Sequence, residues 1–334
     1  MRFVVYGAGA VGGVLGGHLA LDKHDVLLIC RGEHADVIRD QNGLRMKSAT
    51  GDYFAPLRAA PVLDTEEIDE DTVVFFTAKS NHTEPNVETL AEIVPSSTPV
   101  VCFQNGIANE EIIAGRFDNV LGGVCRMTCS FLQPGNVSFR KAGRLIVGKY
   151  PKGADPFARK LGKLLAHAGF DATVSTSIMC DKWLKLVANL QSALHAVIDL
   201  RDHESMEFMN LKVGILEEAK RVLQADKIKA KSCDGRDLSV DEIIQELKKP
   251  RAGKSVSSVR VNNSTWQNLY LKREHIENLY FHGPIIELGQ KYDIATPYNE
   301  TVLEMVTRCS REGLGPNALR AGDILEQIRK RSKD

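Results

Sequence analysis

The chain has no excess charge of either sign: 43 basic residues face 43 acidic ones. That balance argues against a broad nucleic-acid or membrane footprint and leaves only local patches as candidates for either. Cysteine is sparse, with no pairing pattern. Cys30, Cys102, Cys125, Cys129, Cys180, Cys233 and Cys309 form an odd, scattered set without a C-x-x-C. They read as reduced thiols of a cytoplasmic protein, not as a disulfide framework. The nine His are equally scattered, with no H-x-x-x-H and no His/Cys spacing, so no structural or catalytic metal is expected. No apolar run approaches the roughly 20 residues of a membrane span, and no basic-then-apolar leader precedes the first strand. Repeats and low-complexity tracts are also missing. A soluble cytoplasmic α/β protein is the expectation that remains.

What is present fills in that outline. The 334 residues suit two domains at about 150 residues each. With 43% hydrophobic and 26% charged residues, a substantial core forms without staples. Short apolar runs at 3–6, 25–30, 72–77 and 99–103 read as buried parallel strands, and 119–123 is a further candidate. Helical patterns at 10–21, 34–41 and 85–94 alternate with them, the order that a doubly wound sheet produces. Residues 43–56 read as an irregular or hairpin excursion. Pro134-Gly135-Asn136 between two β-prone runs is a hairpin signal. A helix at 155–168 and a short strand at 171–175 follow. Beyond Ile178 helical periods dominate, at 179–200, 205–225, 240–247, 264–288 and 301–310, with loops expected between 227 and 263. The expected architecture is therefore a Rossmann-type doubly wound domain over 1–175, followed by a mainly α-helical domain over 176–334.

The first strand ends in Gly7-Ala8-Gly9-Ala10-Val11-Gly12, which fits G-x-G-x-x-G. Gly7 permits the tight turn out of the strand, Gly9 lets a pyrophosphate approach bare backbone, and Gly12 brings helix and strand close. The following helix N-terminus offers N–H groups and a positive dipole end to phosphate. A strand before the motif and a small-residue helix after it supply the context that a dinucleotide site needs. The second strand then ends Ile29-Cys30-Arg31-Gly32. An acid at this tip would hydrogen-bond free ribose hydroxyls and repel a 2′-phosphate. None stands there, and Glu33 falls past the turn. A guanidinium grips phosphate with paired donors, so Arg31 favours NADP(H) over NAD. His34 either supports that role or is an exposed side chain.

Three later clusters bear on chemistry. Lys79 follows the strand at 72–77, and Asn105 follows the strand at 99–103. Ligands of open α/β sheets bind outside such strand ends, although each residue taken alone could equally serve a turn. In Asp181-Lys-Trp-Leu-Lys185-Leu-Val-Ala-Asn189, Lys185 and Asn189 lie four apart on one helix face. A Lys desolvated there could donate a proton near neutral pH, while the plain alternative is a solvated helix Lys. His195 reads as a core or surface residue of the same helix, on another face. Gly214 reads as a helix contact point, and 220–254 as solvated surface.

GAGAVGG, CRG, TAK, QNG, KWLKLVAN, STWQN, IENLYFHG and TPYN, in that order, resemble the ketopantoate reductase (2-dehydropantoate 2-reductase) family over residues 2–305. The resemblance implies a Rossmann half and a helical half, with the active site in the cleft between them. It also implies NADPH-dependent reduction of a 2-keto acid to a 2-hydroxy acid, feeding pantothenate and coenzyme A synthesis. By that resemblance Lys185 is the general acid. Glu277 is the cleft acid that bonds the substrate hydroxyl and helps place the Lys. Ser264 meets the substrate carboxylate, and Asn189 contacts substrate. Asn105 stands near the nicotinamide, and Lys79 stands at the cofactor's edge. Ala193 departs from the pattern, standing where the family usually has a second Asn; His282 and Asn268 depart too. A site that loses a hydroxyl donor discriminates less strongly, so a different or broader branched 2-keto acid is an alternative substrate. A non-catalytic NADP-sensing protein is a rival, disfavoured because a sensor needs neither Lys185 nor Glu277. A different enzyme on the same two-domain plan, such as a hydroxyacid or polyol-phosphate dehydrogenase, is a further rival, but the sequence offers no additional basic pair for a phosphate-bearing substrate. A small-molecule 2-keto acid is thus the expected partner, with no nucleic acid and no membrane; a homodimer is left open.

Overall fold

Arg2–Tyr6 forms β1, buried over all but its first residue, and it lies between β2 (Asp25–Ile29) and β6 (Thr72–Phe76), parallel to both. These are runs of Val, Leu, Ile and Phe because a strand covered on both faces needs apolar side chains on both. The computed structural model describes residues 1–249, 263–273 and 276–331. Within it the chain divides into two units, Met1–Lys182 and Trp183–Asp334.

In the N-terminal unit, α1 (Ala10–Leu21) and α2 (Glu33–Asp40) precede a hairpin of β3 (Leu44–Ser48) and β4 (Gly51–Ala55), then β5 (Arg58–Ala60). After β6 come α3 (Thr83–Ile93), β7 (Val100–Cys102), α4 (Asn109–Ala114) and β8 (Val120–Arg126). A second hairpin of β9 (Cys129–Gln133) and β10 (Asn136–Phe139) follows, then β11 (Arg144–Lys149), α5 (Pro156–His167) and β12 (Asp171–Val174). The main sheet has eight strands in the order β12-β11-β8-β7-β6-β1-β2-β5. It is parallel except where β11 runs antiparallel to β8. The two hairpins join as a separate four-stranded sheet, β4-β3-β10-β9. The excursion at 43–56 is thus a hairpin, paired through β3 to β10.

The strand order reverses about β1: β2 leads away on one side and β6 on the other. This is the switch point at which open α/β sheets take ligands. The glycine turn after β1 and Lys79 after β6 both lie at its carboxyl end.

Helix α6 (Ile178–Asn189) starts in the N-terminal unit and runs into the C-terminal one. There it is followed by α7 (Gln191–Val197), α8 (Met206–Ala225), α9 (Val240–Lys248), α10 (Ser264–Tyr270), α11 (Leu279–Lys291), α12 (Pro297–Arg311) and α13 (Ala321–Arg331). The expected contact at Gly214 is present: a Cβ there would collide with the ring of Tyr298 on α12.

Two expected helices are broken. The helix at 179–200 stops at Leu190, whose N–H is shared between the carbonyls of Leu186 (3.1 Å) and Val187 (3.3 Å), a tightening typical of helix ends. His195 consequently sits on α7, not on the helix of Lys185. The helix at 264–288 ends at Tyr270. Lys272 adopts φ +51°, its N–H returns to the Leu269 carbonyl (3.1 Å), and Arg273 N–H returns to that of Asn268 (2.9 Å). That is a Schellman closure with Lys where Gly is usual. Residues 250–262, which belong to the expected loop stretch, lie outside the described residues.

Residues 312–331 pack on the C-terminal unit. Ile198 and Leu319 form a parallel bridge, Asp202 accepts from Nε and Nη2 of Arg320 (2.8 and 2.6 Å) and from Ala321 N–H (2.9 Å), and α13 buries Ala321, Ile324, Leu325 and Ile328. Among the described residues no helix is long and apolar enough to cross a membrane.

Candidate functional site

The glycine turn has the geometry that its residue types require. Gly7 has φ +101° and presses on Ala78, so a side chain fits neither its backbone nor its space. A Cβ on Gly12 would lie 2.5 Å from Thr77 Oγ1 and 2.9 Å from Val5 Cγ1, which keeps α1 close on the sheet. Gly9 is the opposite case, because a Cβ built there meets nothing within 4 Å. The turn is open at Gly9, and the N-terminus of α1, lacking a capping side chain, begins at Ala10. Ala10 and Val11 are half-buried beside it, and Ala8 is buried. Bare backbone, open space and a helix N-terminus together fit the pyrophosphate of a dinucleotide.

Neighbouring strand ends hold this turn. The N–H groups of Gly7 (3.1 Å) and Ala8 (3.0 Å) donate to the Ile29 carbonyl of β2, and Thr77 Oγ1 donates to the Gly7 carbonyl (2.9 Å). Arg31 lies exposed just past β2. Its guanidinium is close enough to Tyr6 to oppose the rise that burial imposes on the phenol. Glu33 is exposed as the first residue of α2, past the turn. His34 is not exposed: it is 6% accessible and bonds the Ala8 carbonyl.

Lys79 and Asn105, both half-buried, stand on two loops that a polar network stitches together. Gln104 Nε2 donates to the Ala78 carbonyl (2.7 Å) and to Thr83 Oγ1 (2.9 Å), and Thr83 Oγ1 donates to Asn109 Oδ1 (2.8 Å). The Asn105 carbonyl accepts from Ser80 Oγ (3.1 Å) and Asn109 Nδ2 (2.8 Å). Beneath lies an ion pair that sequence reasoning missed. Lys182, on the first turns of α6, is buried against Glu110 and donates to the Gln104 carbonyl (3.2 Å). Burial alone would lower the Lys182 ammonium, but the facing Glu110 carboxylate wins and holds it above its ordinary value. A lone Lys and a lone Glu 72 residues apart carry no sequence signal for such a pair.

The remaining candidates belong to the C-terminal unit. Lys185 and Asn189 are both half-buried, one turn apart on α6. Ser264 is exposed at the first position of α10, and Glu277 is half-buried just before α11. Their neighbours tie them together: Thr265 Oγ1 donates to Oδ1 of the fully buried Asn278 (3.0 Å). Asn263 caps α10 by accepting Trp266 N–H (2.8 Å), and its Nδ2 donates to the Ser192 carbonyl of α7 (2.9 Å). Ala193 on α7 is fully buried and offers no side-chain donor. His195 packs edge-on against His203 and Phe208, a core environment.

His282 is a second residue whose role was not legible. It is fully buried, with Nδ1 2.8 Å from Asn299 Oδ1. Asn299 Nδ2 donates to Glu218 (2.8 Å) and the Ile215 carbonyl (3.1 Å). That leaves its Oδ1 to accept from His282 Nδ1–H. Burial pushes His282 down to about 4, against the opposing pulls of Asn299 and the Leu190 carbonyl.

Residues 3–152 match the family model described as Ketopantoate reductase PanE/ApbA, and 177–310 match the corresponding C-terminal model. A 2-dehydropantoate 2-reductase of Pyrococcus horikoshii is 27% identical over 321 residues, 94% of this chain and 99% of that protein. In fold the chain is similar to a PanE/ApbA family ketopantoate reductase of Ralstonia eutropha, with TM-score 0.79, 23% identity, and 94% and 99% of the two chains covered. It is also similar to a D-mandelate dehydrogenase solved with NADH and anilino(oxo)acetate, with TM-score 0.74, 22% identity, and 94% and 99% covered.

Proposed function

Because the chain belongs to the ketopantoate reductase family of oxidoreductases, we propose that it is an NADPH-dependent 2-keto acid reductase, with 2-dehydropantoate (ketopantoate) as first substrate and pantoate as product, in pantothenate biosynthesis. The observation that carries the reading is the open turn at Gly9 with Arg31, and no acid, at the tip of the adjoining strand. Gly7, Gly9, Gly12 and the first residues of α1 would hold the pyrophosphate, and Arg31 the 2′-phosphate. Lys79 and Asn105, on the stitched loops at the same end of the sheet, would meet the nicotinamide half. When bound, the cofactor supplies hydride to the substrate carbonyl carbon.

The chain's own residues do the rest. Lys185 donates a proton to the carbonyl oxygen as negative charge develops on it. Glu277 accepts from the substrate hydroxyl and orients the Lys. Ser264 and Asn189 hold the carboxylate and the flank of the substrate at a fixed distance from the reacting atoms. The test is cofactor oxidation against a panel of 2-keto acids, with NADH in parallel and Lys185→Ala as control. Turnover of ketopantoate with NADPH ahead of NADH is expected. Cofactor binding without turnover of any keto acid would sink the reading in favour of a sensor.

Ala193 favours a second reading, in which another branched 2-keto acid is the substrate. It is buried and brings no donor for a substrate hydroxyl, and D-mandelate dehydrogenase shares the fold. A site that bonds a hydroxyl rejects the analogue lacking it by about 10⁴ or more. If this reading holds, ketopantoate is preferred over 2-ketoisovalerate by less than about a hundredfold in kcat/KM.

A further inference from the structure

The imidazole of His34 joins three segments of the N-terminal unit. Nε2 lies 3.0 Å from the Ala8 carbonyl of the glycine turn, and Nδ1 lies 2.9 Å from the Gly135 amide at the β9–β10 turn. A carbonyl only accepts and a backbone amide only donates, so the two partners assign one neutral tautomer: Nε2–H donates to Ala8, and bare Nδ1 accepts from Gly135. The ring is 6% accessible and tilts against Phe131, with centroids 4.3 Å apart.

What these bonds hold is specific. The Ala8 carbonyl and the Gly9 N–H belong to one peptide plane. His34 takes its carbonyl end, and the Gly7 carbonyl takes its N–H end at 2.8 Å. This is the plane at the open position of the turn, where a Cβ would meet nothing. His34 is also three residues from Arg31, across Gly32 at φ +60°. Behind it Gly135 is fixed in turn, because its carbonyl accepts Arg45 N–H (3.1 Å) and Gln41 Nε2 (3.3 Å).

We propose that His34 is a positioning residue for cofactor selection: it clamps the Ala8–Gly9 peptide against the start of α2, so that the open glycine turn and Arg31 keep one spacing. The inference rests on the reading of Arg31 as the 2′-phosphate ligand. A clamp set to that spacing matters most to the cofactor that spans from pyrophosphate to 2′-phosphate. Its loss therefore weakens NADPH more than NADH, whereas a merely structural role would weaken both alike or neither.

The experiment is fluorescence titration of NADPH and NADH against the full chain and three variants, with thermal midpoints alongside. His34→Leu removes both bonds and is expected to lose roughly tenfold in NADPH affinity, about one hydrogen bond's worth, and less than about threefold in NADH affinity. His34→Gln, with one donor and one acceptor on one side chain, is expected within about threefold of the parent for both cofactors. If His34→Leu does not fold, His34→Asn, too short to keep both bonds, decides on the same ratio. If His34→Leu, or His34→Asn in its place, keeps the parental NADPH-to-NADH ratio, the proposal is overturned, whether that variant loses both cofactors equally or neither. Arg31→Ala separates the two readings. If it retains the ratio, the Arg31 reading fails and the clamp's selectivity with it. If it loses the ratio while His34→Leu keeps it, the His34 inference fails alone.

Discussion

At the scale of the residue, the proposed chemistry rests on a few side chains whose surroundings differ. Lys185 is half-buried on α6, while Lys182, one turn earlier, is sealed against Glu110. On the function proposed above Lys185 is the proton donor, and Lys182 is not a rival for that role because its buried ion pair with Glu110 leaves it no access to substrate. Lys185→Ala is expected to lower kcat by about 10² to 10⁴, the range of a lost general acid, while the NADPH dissociation constant stays within about twofold. Rapid-reaction kinetics with titration of the same samples checks both halves. A parallel loss of cofactor binding would mean that the Lys holds the cofactor and not the substrate. The tight turn at Gly7 and the exposed place of Arg31 past β2 were legible because both depend only on the local backbone. The Lys182–Glu110 pair and the His34 bridge were not, because each joins residues that only the fold makes neighbours.

At the scale of the element, the C-terminal unit depends on carboxylates that serve helices other than their own. Glu218 on α8 is 1% accessible and accepts Tyr298 N–H (2.8 Å) and Asn299 N–H (2.9 Å) at the start of α12. It thus does from outside what a capping side chain does from within. Burial nonetheless leaves its pKa above the ordinary carboxylate range. Glu218→Ala, which strands two first-turn N–H groups and one of the two Asn299 Nδ2 hydrogens, is expected to destabilise the chain by about 2–4 kcal/mol. Denaturant unfolding measures it, and a change under about 0.5 kcal/mol would show that water replaces the carboxylate. Asp202 plays the same part for α13 through Ala321 N–H and Arg320. Asp202→Ala should speed amide exchange across 321–331 before any other helix of the unit. These caps explain which elements the sequence hid. The end of α10 uses Lys272 where Gly is the usual signal, and α12 starts at Pro297 with its cap more than 70 residues away.

At the scale of the whole molecule, buried and half-buried His residues are expected to weaken the fold in acid. His18, His34, His203 and His282 are all held below the ordinary value by burial. A buried His of lowered pKa folds neutral. Above about pH 6.5 neither state binds the proton, and there is no penalty. As pH falls below that, the unfolded chain takes up the proton before the folded one, so stability falls until the folded pKa is reached. For His282 that window runs from about 6.5 to about 4, a loss of roughly 3 kcal/mol. Denaturant midpoints measured from pH 7 to 4 should fall, and His282→Asn should flatten that part of the slope. An unchanged slope would mean that other groups carry the acid response.

By itself the sequence determined the class of the protein: apolar runs of strand length alternating with helical periods, a glycine turn at the end of the first strand, a basic tip on the second, and helices beyond 178. Those are local signals, read from periodicity, backbone freedom and charge, and they act within a few residues of where they stand. Only the tertiary structure decided which polar groups share a buried partner. It turned the excursion at 43–56 and the Pro134-Gly135 turn into one sheet. It broke the long helices at Leu190 and Tyr270, and set His34 against Ala8 and Gly135. The physical reason is that a buried donor or acceptor must be satisfied by whatever the fold brings within hydrogen-bond distance. That pairing has no period and no fixed spacing along the chain.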